Sequence, residues 1–281
     1  MRSEPTLPTW HGYGDPDGLA MIYMHGTPGS GMEIAPADEI ARELGLRIIA
    51  PDRPGYGDTP VSAQGNLRDW AEKIATLADG LQIDRFHVLG YSIGSIYAFA
   101  CSHFLGDRVD GLTIVGGLAD YDTPAMQAHL SPDFKPLYDL AATDIGAVTE
   151  QLKPLIESVD VAWSVLSAPM PEEDQAIFNN ANILTPYLDS LEYALKQGPM
   201  GLVFDLKNTV QPWPFTLKDI HAQVELWHGN KDRNIGVEIG KYLAESLHTD
   251  NTHFLADQGH YFILSHWRQI LENITTRMSS R

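Results

Sequence analysis

The chain has 281 residues, of which 43% are hydrophobic and 20% charged, and this composition is ordinary for a globular protein. Its 37 acidic and 19 basic residues give a formal net charge of −18. Nucleic acids and anionic membranes are therefore not expected as partners, because binding them needs clustered Lys and Arg and the sequence has no basic run. We expect a small-molecule substrate, and the sequence leaves the oligomeric state open.

Targeting and redox signals are few. The stretch at 1–10 lacks the apolar segment of a secretory signal, and no run of about 18 apolar residues is present to span a bilayer. The single cysteine, Cys101, excludes an intrachain disulfide and lies in an apolar run typical of a buried helix. These features predict a cytoplasmic protein.

Six short apolar runs, each followed by glycine or a turn, predict the strands of a sheet. Continuous apolar runs of this length are typical of strands buried on both faces, as in parallel sheets. The runs lie at 19–24, 46–50, 86–90, 112–116, 224–229 and 252–256. The stretch before residue 19 has room for one or two more strands, so the leading strands of the sheet are expected to be truncated.

Helical patterns separate these runs. The pattern at 66–81 is the clearest, because Asn66 is a candidate N-cap and the apolar residues that follow share one face. Further helices are predicted at 35–45, 93–104, 237–247 and 262–278. Strands that alternate with helices predict an α/β fold with a doubly wound, mostly parallel sheet.

One long segment breaks this alternation. Residues 117–222 contain ten prolines and read as several short helices, and a structureless loop of that length is implausible within a compact domain. We predict a helical cap at 117–222, inserted after the run at 112–116, which we number the sixth strand. The α/β core then consists of residues 1–116 and 223–281.

The run at 86–90 is followed by a glycine-flanked serine and then by a predicted helix. Gly90-Tyr91-Ser92-Ile93-Gly94 thus has the strand–turn–helix setting of a nucleophile elbow, with Ser92 as the nucleophile. The backbone N–H of Ile93 lies at the start of the helix, where N–H groups lack partners and negative charge is favoured. It is a candidate donor to an oxyanion formed by attack of Ser92.

Three other strand ends supply matching groups. The glycine-rich stretch at 25–31 offers a second oxyanion donor, for which we favour the N–H of Thr27. Asp232 and His260 follow the last two predicted strands, and the chain order Ser92, Asp232, His260 is that of hydrolases built on such a sheet. Histidine can remove the serine proton near neutral pH, and a carboxylate fixes its tautomer.

These motifs resemble those of the α/β-hydrolase family of serine hydrolases with a helical cap, in its esterase and proline-iminopeptidase-like branch. The similarity extends over about residues 15–278 and rests on "HGTPGSG" (25–31), "PDRPGYGDT" (51–59), "GYSIGS" (90–95), "HGNKD" (228–232) and "QGHY" (258–261). The resemblance implies Ser92 as nucleophile, His260 as base and Asp232 as acid. It also implies Thr27 and Ile93 as the oxyanion-hole residues.

Other candidate residues are weaker. Asp120 follows the run at 112–116, where some family members carry the acid, and it is the alternative to Asp232. His25, His87 and His228 are expected to shape loops or pack in the core, and the histidines show no metal-ligand spacing. We expect neither a metal nor another cofactor. The residues that bind substrate cannot be named from the sequence.

The sequence favours serine hydrolysis of an ester, or a related acyl bond, of a small and partly apolar substrate. An aminopeptidase related to proline iminopeptidases is one alternative, for which residues 172–174 offer an amine-binding acidic cluster. Carbon–carbon bond hydrolysis of a dienoate is another. A non-hydrolytic ligand-binding protein or a cofactor-free oxygenase on the same fold is the third.

Overall fold

The computed structural model describes residues 7–61 and 65–279. Within these ranges seven strands form one sheet in the order β1-β3-β2-β4-β5-β6-β7. Strand β1 is antiparallel to β3, and the other neighbouring strands are parallel. The strands are β1 (Trp10–Gly14), β2 (Leu19–Met24), β3 (Leu46–Pro51), β4 (Phe86–Tyr91), β5 (Val109–Val115), β6 (Gln223–Gly229) and β7 (Thr252–Leu255). The predicted doubly wound, mostly parallel sheet is confirmed.

Twelve α-helices accompany the sheet in the described ranges. Those of the core are α1 (Asp38–Glu43), α2 (Leu67–Gly80), α3 (Gly94–Leu105), α11 (Val237–Ser246) and α12 (Ile263–Ser279). Those between β5 and β6 are α4 (Pro124–His129), α5 (Lys135–Thr143), α6 (Ile145–Leu152), α7 (Val159–Ser167), α8 (Glu172–Phe178), α9 (Ala181–Leu195) and α10 (Met200–Val210). None of the helices in the described part is both long and apolar enough to cross a membrane.

The central strands are mostly apolar, and both of their faces are covered. All six residues of β4 are buried, and successive side chains enter different clusters: Val88 packs with α2 and α3, and Leu89 packs with α1 and α12. Alternation of side chains across a strand produces this division. The loops at the carboxyl ends of the parallel strands then meet at one edge of the sheet.

Two sequence expectations need correction. The helix expected at 35–45 is shorter, since Gly31–Ala37 forms a 3₁₀ turn and α1 begins only at Asp38. Pro36 lies in that turn, and proline cannot donate the backbone hydrogen bond of an α-helix interior. The strand before residue 117 is β5, the fifth described strand and not the sixth, because one leading strand, β1, is described where two were allowed for.

We call residues 117–222 the cap segment, and its boundaries as a domain remain a prediction. Its helices contact both each other and the core. Helix α9 packs against the 3₁₀ turn Gly31–Ala37, while α10 packs against α5 and α6. The cap segment therefore rests on the loop after β2, next to the carboxyl edge of the sheet.

Candidate active site

The turn from β4 into α3 places Ser92 in a strained conformation. Its φ is +52°, a region that non-glycine residues seldom adopt. The flanking glycines allow the close packing that the turn requires, since a Cβ on Gly94 would lie 2.1 Å from the carbonyl oxygen of Met24. The N–H of Ser92 donates to the carbonyl of Val115 at 2.9 Å. The structure thus has a sharp strand–turn–helix at the serine for which the sequence predicts a nucleophile elbow.

A chain of hydrogen bonds joins three of the predicted site residues. Nε2 of His260 lies 3.0 Å from Oγ of Ser92, and Nδ1 of His260 lies 2.7 Å from Oδ2 of Asp232. The other oxygen of Asp232 accepts the backbone N–H groups of Asn234 and Ile235, at 2.9 and 2.8 Å. With Nδ1–H donating to Asp232, Nε2 is left to accept the serine proton.

The environment of His260 favours its protonated form. Burial of the ring lowers its pKa, but the attraction of Asp232 and the hydrogen bond to it, with smaller contributions from Asp174 and Glu33, outweigh burial. The pKa of His260 consequently lies above its ordinary value. An imidazolium formed by proton uptake from Ser92 would be stabilised by the same carboxylates.

The two predicted oxyanion donors lie beside the serine. Thr27 and Ile93 line the same cavity as Ser92. Among the hydrogen bonds of residues 7–61 and 65–279, neither backbone N–H donates to an acceptor. Two unpaired N–H groups from residues that line the cavity of Ser92 are the kind of donor that an oxyanion needs.

A buried ion pair holds the loop that carries Thr27. Arg53 donates to both oxygens of Asp205 on α10, at 2.9 and 2.6 Å, and also to the carbonyls of His25 and Gly26. The hydroxyl of Thr27 itself donates to Asp205. The Arg53 and Asp205 side chains are each 1% exposed. Through Asp205 the cap segment thus holds the loop that carries Thr27.

The phenols of Tyr56 and Tyr97 complete this cluster. They donate to Asp205 at 2.8 and 2.7 Å, and their rings lie within 5.4 and 4.9 Å of the Arg53 guanidinium carbon. Burial, followed by the charge of Asp205, raises the pKa of both phenols well above the ordinary value. They therefore remain donors across the neutral range.

A second cap carboxylate holds the loop of the histidine. Asp174, at the start of α8, accepts the backbone N–H groups of His260 and Tyr261 at 2.9 and 2.8 Å. It is 1% exposed, and burial raises its pKa. A Cβ on Gly259 would lie 2.3 Å from this carboxylate, so the approach depends on glycine.

A cavity of about 560 Å³ lies over Ser92 and His260. Its volume is within the usual range for small-ligand sites, about 300–1,000 Å³. The wall contributed by the cap segment is mostly apolar and includes Leu130, Phe134, Leu137, Tyr138, Leu152, Val165, Leu166, Tyr187, Leu202 and Leu206. Two carboxylates, Glu33 and Asp133, also line it.

The weaker sequence candidates have other partners in the structure. The partner of His260 is Asp232 and not Asp120, whose carboxylate accepts the N–H of Asp122 instead. His228 contacts the carbonyl of Ile235, within the loop that carries Asp232. In the described part of the chain no group of three or more His, Cys, Asp or Glu side chains is arranged to hold a metal ion.

The acidic cluster proposed for amine binding is used differently. Asp174 is occupied by backbone N–H groups, and Glu173 lies 3.8 Å from Lys231 in an ion pair. Neither residue lines the cavity. The cluster at 172–174 therefore is not an amine site in this structure.

Sequence reasoning missed two buried carboxylates, Glu33 and Asp205, and gave a third, Asp174, a different role. Asp205 had a readable signal, because it is an isolated acid in the apolar stretch "GLVFDL" (201–206). Glu33 and Asp174 had none, since acids near a helix start are usually solvated. Only the packing of the cap segment on the core shows that all three are buried.

Comparisons with known proteins agree with the fold. A family model described as "Alpha/beta hydrolase family" matches residues 21–273. A curated relative from Escherichia coli K12, a "2-hydroxy-6-oxononadienedioate/2-hydroxy-6-oxononatrienedioate hydrolase", is 24% identical over 244 residues, covering 84% of this chain and 78% of the relative.

Solved structures extend the likeness over nearly the whole chain. The esterase RhEst1 from Rhodococcus sp. ECU1013 has a TM-score of 0.71 at 15% identity, covering 96% of this chain and 97% of that one. A bromoperoxidase from Bacillus anthracis has a TM-score of 0.67 at 16% identity, covering 96% and 94%. At such identities the structures show the fold and not the reaction. Since the family model spans most of the sequence, this protein belongs to the alpha/beta hydrolase family.

Proposed function

We propose that the protein is a serine hydrolase that cleaves an ester bond of a small, partly apolar substrate through an acyl-enzyme. The observation that carries this proposal is the chain Ser92–His260–Asp232, with spacings of 3.0 and 2.7 Å. The unpaired N–H groups of Thr27 and Ile93 add to it. Together they supply a nucleophile, a base, an orienting carboxylate and two oxyanion donors.

In the first half-reaction, Oγ of Ser92 attacks the ester carbonyl carbon while Nε2 of His260 takes the hydroxyl proton. The carbonyl oxygen becomes an oxyanion, which accepts hydrogen bonds from Thr27 and Ile93. When the tetrahedral intermediate collapses, the bond to the alcohol breaks and His260 returns the proton to the leaving oxygen. The products of this half are an alcohol and an acyl group on Ser92.

In the second half-reaction, water repeats the same sequence. His260 removes a proton from the water, whose oxygen attacks the acyl carbon, and the oxyanion again forms at Thr27 and Ile93. Collapse breaks the bond to Ser92, which recovers its proton from His260, and releases the acid. Asp232 keeps the imidazole in the required tautomer in both halves.

The direct test is the hydrolysis of p-nitrophenyl butyrate by the protein and by Ser92→Ala. We expect Ser92→Ala to lower kcat by about 10⁴-fold or more, since removal of the nucleophile in such a triad has an effect of that order. Ser164→Ala, an exposed serine of the cap segment, is the matched control and should retain activity. Full activity of Ser92→Ala would overturn the proposal.

The E. coli relative raises carbon–carbon bond hydrolysis as the rival reaction. The substrate in that relative's name is a dioate, which carries two negative charges. The cavity of this protein contains the carboxylates Glu33 and Asp133, which repel such a ligand. We therefore expect faster turnover of the neutral ester than of 2-hydroxy-6-oxononadienedioate, and the reverse order would assign the rival reaction.

A further inference from the structure

The carboxyl group of Glu33 lies at the wall of the active-site cavity. Glu33 belongs to the 3₁₀ turn Gly31–Ala37 and is 4% exposed, yet it lines the same cavity as Ser92 and His260. The mechanism proposed above assigns no step to it. A carboxyl group buried to this extent is unfavourable unless its oxygens are paired.

The two oxygens of Glu33 differ in their partners. Oε2 accepts the hydroxyl of Tyr23 at 2.5 Å and the backbone N–H of Gly26 at 2.9 Å. Oε1 accepts no hydrogen bond from residues 7–61 or 65–279, and no lysine or arginine in those ranges forms an ion pair with Glu33. Oε1 of Glu33 thus has no hydrogen-bond donor within the described residues, and a ligand in the cavity can supply one.

Three tyrosines surround the same part of the cavity. Tyr91, Tyr187 and Tyr261 all line it. A Cβ built on Gly26 would lie 3.0 Å from the ring of Tyr91 and 3.3 Å from Oε1 of Glu33, so that ring and that oxygen flank the same point. The rings of Tyr187 and Tyr261 meet edge to face with centroids 5.8 Å apart. Faces of aromatic rings attract organic cations.

We propose that Glu33, Tyr91, Tyr187 and Tyr261 form an ammonium subsite, so that the substrate is an ester that carries an organic ammonium group. Burial raises the pKa of Glu33, whereas the hydrogen bonds from Tyr23 and Gly26 lower it, and a cation in the cavity would further favour the charged carboxylate. The rings supply an apolar, cation-attracting wall. The net charge of −18 would draw such a cation toward the protein. This inference rests on the proposed function, because it assumes that the cavity presents an ester to Ser92.

The test compares two substrates of the same shape that differ in charge, acetylthiocholine and 3,3-dimethylbutyl thioacetate. We expect kcat/KM to be at least about tenfold higher for the cation, because a buried carboxylate stabilises a bound cation and not its neutral analogue. In Glu33→Gln this ratio should fall by about 10- to 100-fold. Because both substrates use the same nucleophile and base, the ratio isolates the recognition of charge.

Asp133→Asn is the matched control, because it removes the other carboxylate that lines the cavity, one that is exposed. We expect it to change the ratio far less than Glu33→Gln does. A wild-type ratio near one would overturn the inference. An equal fall of the ratio in both variants would overturn it too, because the cation would then be favoured by the negative potential of the whole cavity and not by Glu33. Turnover of the neutral thioester, in contrast, tests the proposed hydrolase function by itself.

A binding measurement tests the ammonium subsite without turnover or a substitution of Glu33. Calorimetric titration of Ser92→Ala with choline and with 3,3-dimethylbutan-1-ol compares a cation with its neutral analogue. We expect choline to bind at least about tenfold more tightly. Equal affinities would overturn the ammonium subsite even if ester hydrolysis by the wild-type protein is established.

Discussion

Two carboxylates of the cap segment are buried against the core, and they are stabilised in different ways. Asp205 pairs with Arg53 and accepts two phenols, whereas Asp174 accepts only backbone N–H groups of the loop that carries His260. Asp205 therefore belongs to a neutral cluster that positions the loop of Thr27. Asp174 keeps an uncompensated charge near the imidazole, so it acts on His260 electrostatically as well as by position.

Arg53→Met should produce the largest effect, because it leaves Asp205 buried without its cation. Removing one partner of a buried ion pair is destabilising by about 3–5 kcal/mol, and we expect that loss in the free energy of unfolding from chemical denaturation. Arg42→Met, which breaks the exposed pair with Asp38, is the control and should have a much smaller effect. Equal stability of Arg53→Met and the parent would contradict the role given to this pair.

Asp205→Asn should lower kcat by about 10- to 100-fold, since small displacements of the oxyanion loop misplace the N–H of Thr27. The acidic limb of the pH–rate profile should stay in place, because Asp205 is not among the groups that shift the pKa of His260. Steady-state kinetics on p-nitrophenyl butyrate across pH would measure both. Asp189→Asn, an exposed acid of α9, serves as the control. A shifted limb in Asp205→Asn would remove the distinction between the two carboxylates.

Asp174→Asn should move the acidic limb of kcat/KM to lower pH, by less than about one pH unit. His260 must be neutral to accept the serine proton, so activity is lost as the pH falls through its pKa. The charge of Asp174 helps to raise that pKa, and removing the charge lowers it. Glu173→Gln, a neighbouring acid of α8 paired with Lys231, is the control. An unmoved limb in Asp174→Asn would show that Asp174 has only a positional role.

The smallest effect concerns the dependence of stability on pH. Burial raises the pKa of Asp174 in the folded state, so between its unfolded and folded pKa values the folded protein binds more protons than the unfolded chain. The contribution of Asp174 to stability is then lost as the pH rises through that window. The difference in unfolding free energy between the parent and Asp174→Asn should consequently shrink from pH 4 towards pH 7. A difference that grows with pH would contradict the raised pKa.

The sequence predicted the sheet and the groups at its carboxyl edge because those features depend on local patterns. The apolar run at 86–90 required a buried strand, and the turn at Ser92 required glycines on both sides. Chain order then placed Asp232 and His260 at the ends of β6 and β7. These relations follow from strand periodicity and from the parallel arrangement of the strands.

The positions of the buried carboxylates around the site could not be predicted from local sequence patterns. Asp174 and Asp205 take their places only through contacts between the cap segment and core loops far away in the sequence, and Glu33 is known to line the cavity only from the folded structure. Asp174 lies 86 residues before His260, whose N–H it accepts, and Asp205 lies 152 residues after Arg53. Such contacts are set by tertiary packing, which single-sequence patterns do not encode. For the same reason the sequence offers the acidic stretch at 172–174 as an amine-binding candidate for the aminopeptidase alternative and does not show that Asp174 binds the loop of His260.

Covalent trapping of the nucleophile is the most direct test of the account. The protein would be treated with a fluorophosphonate probe, and the modified residue identified by peptide mass spectrometry. We expect one adduct, on Ser92, which is lost in Ser92→Ala and forms more slowly in His260→Ala because the base is missing. Absence of labelling in the folded wild-type protein, or labelling at a different residue, would contradict it.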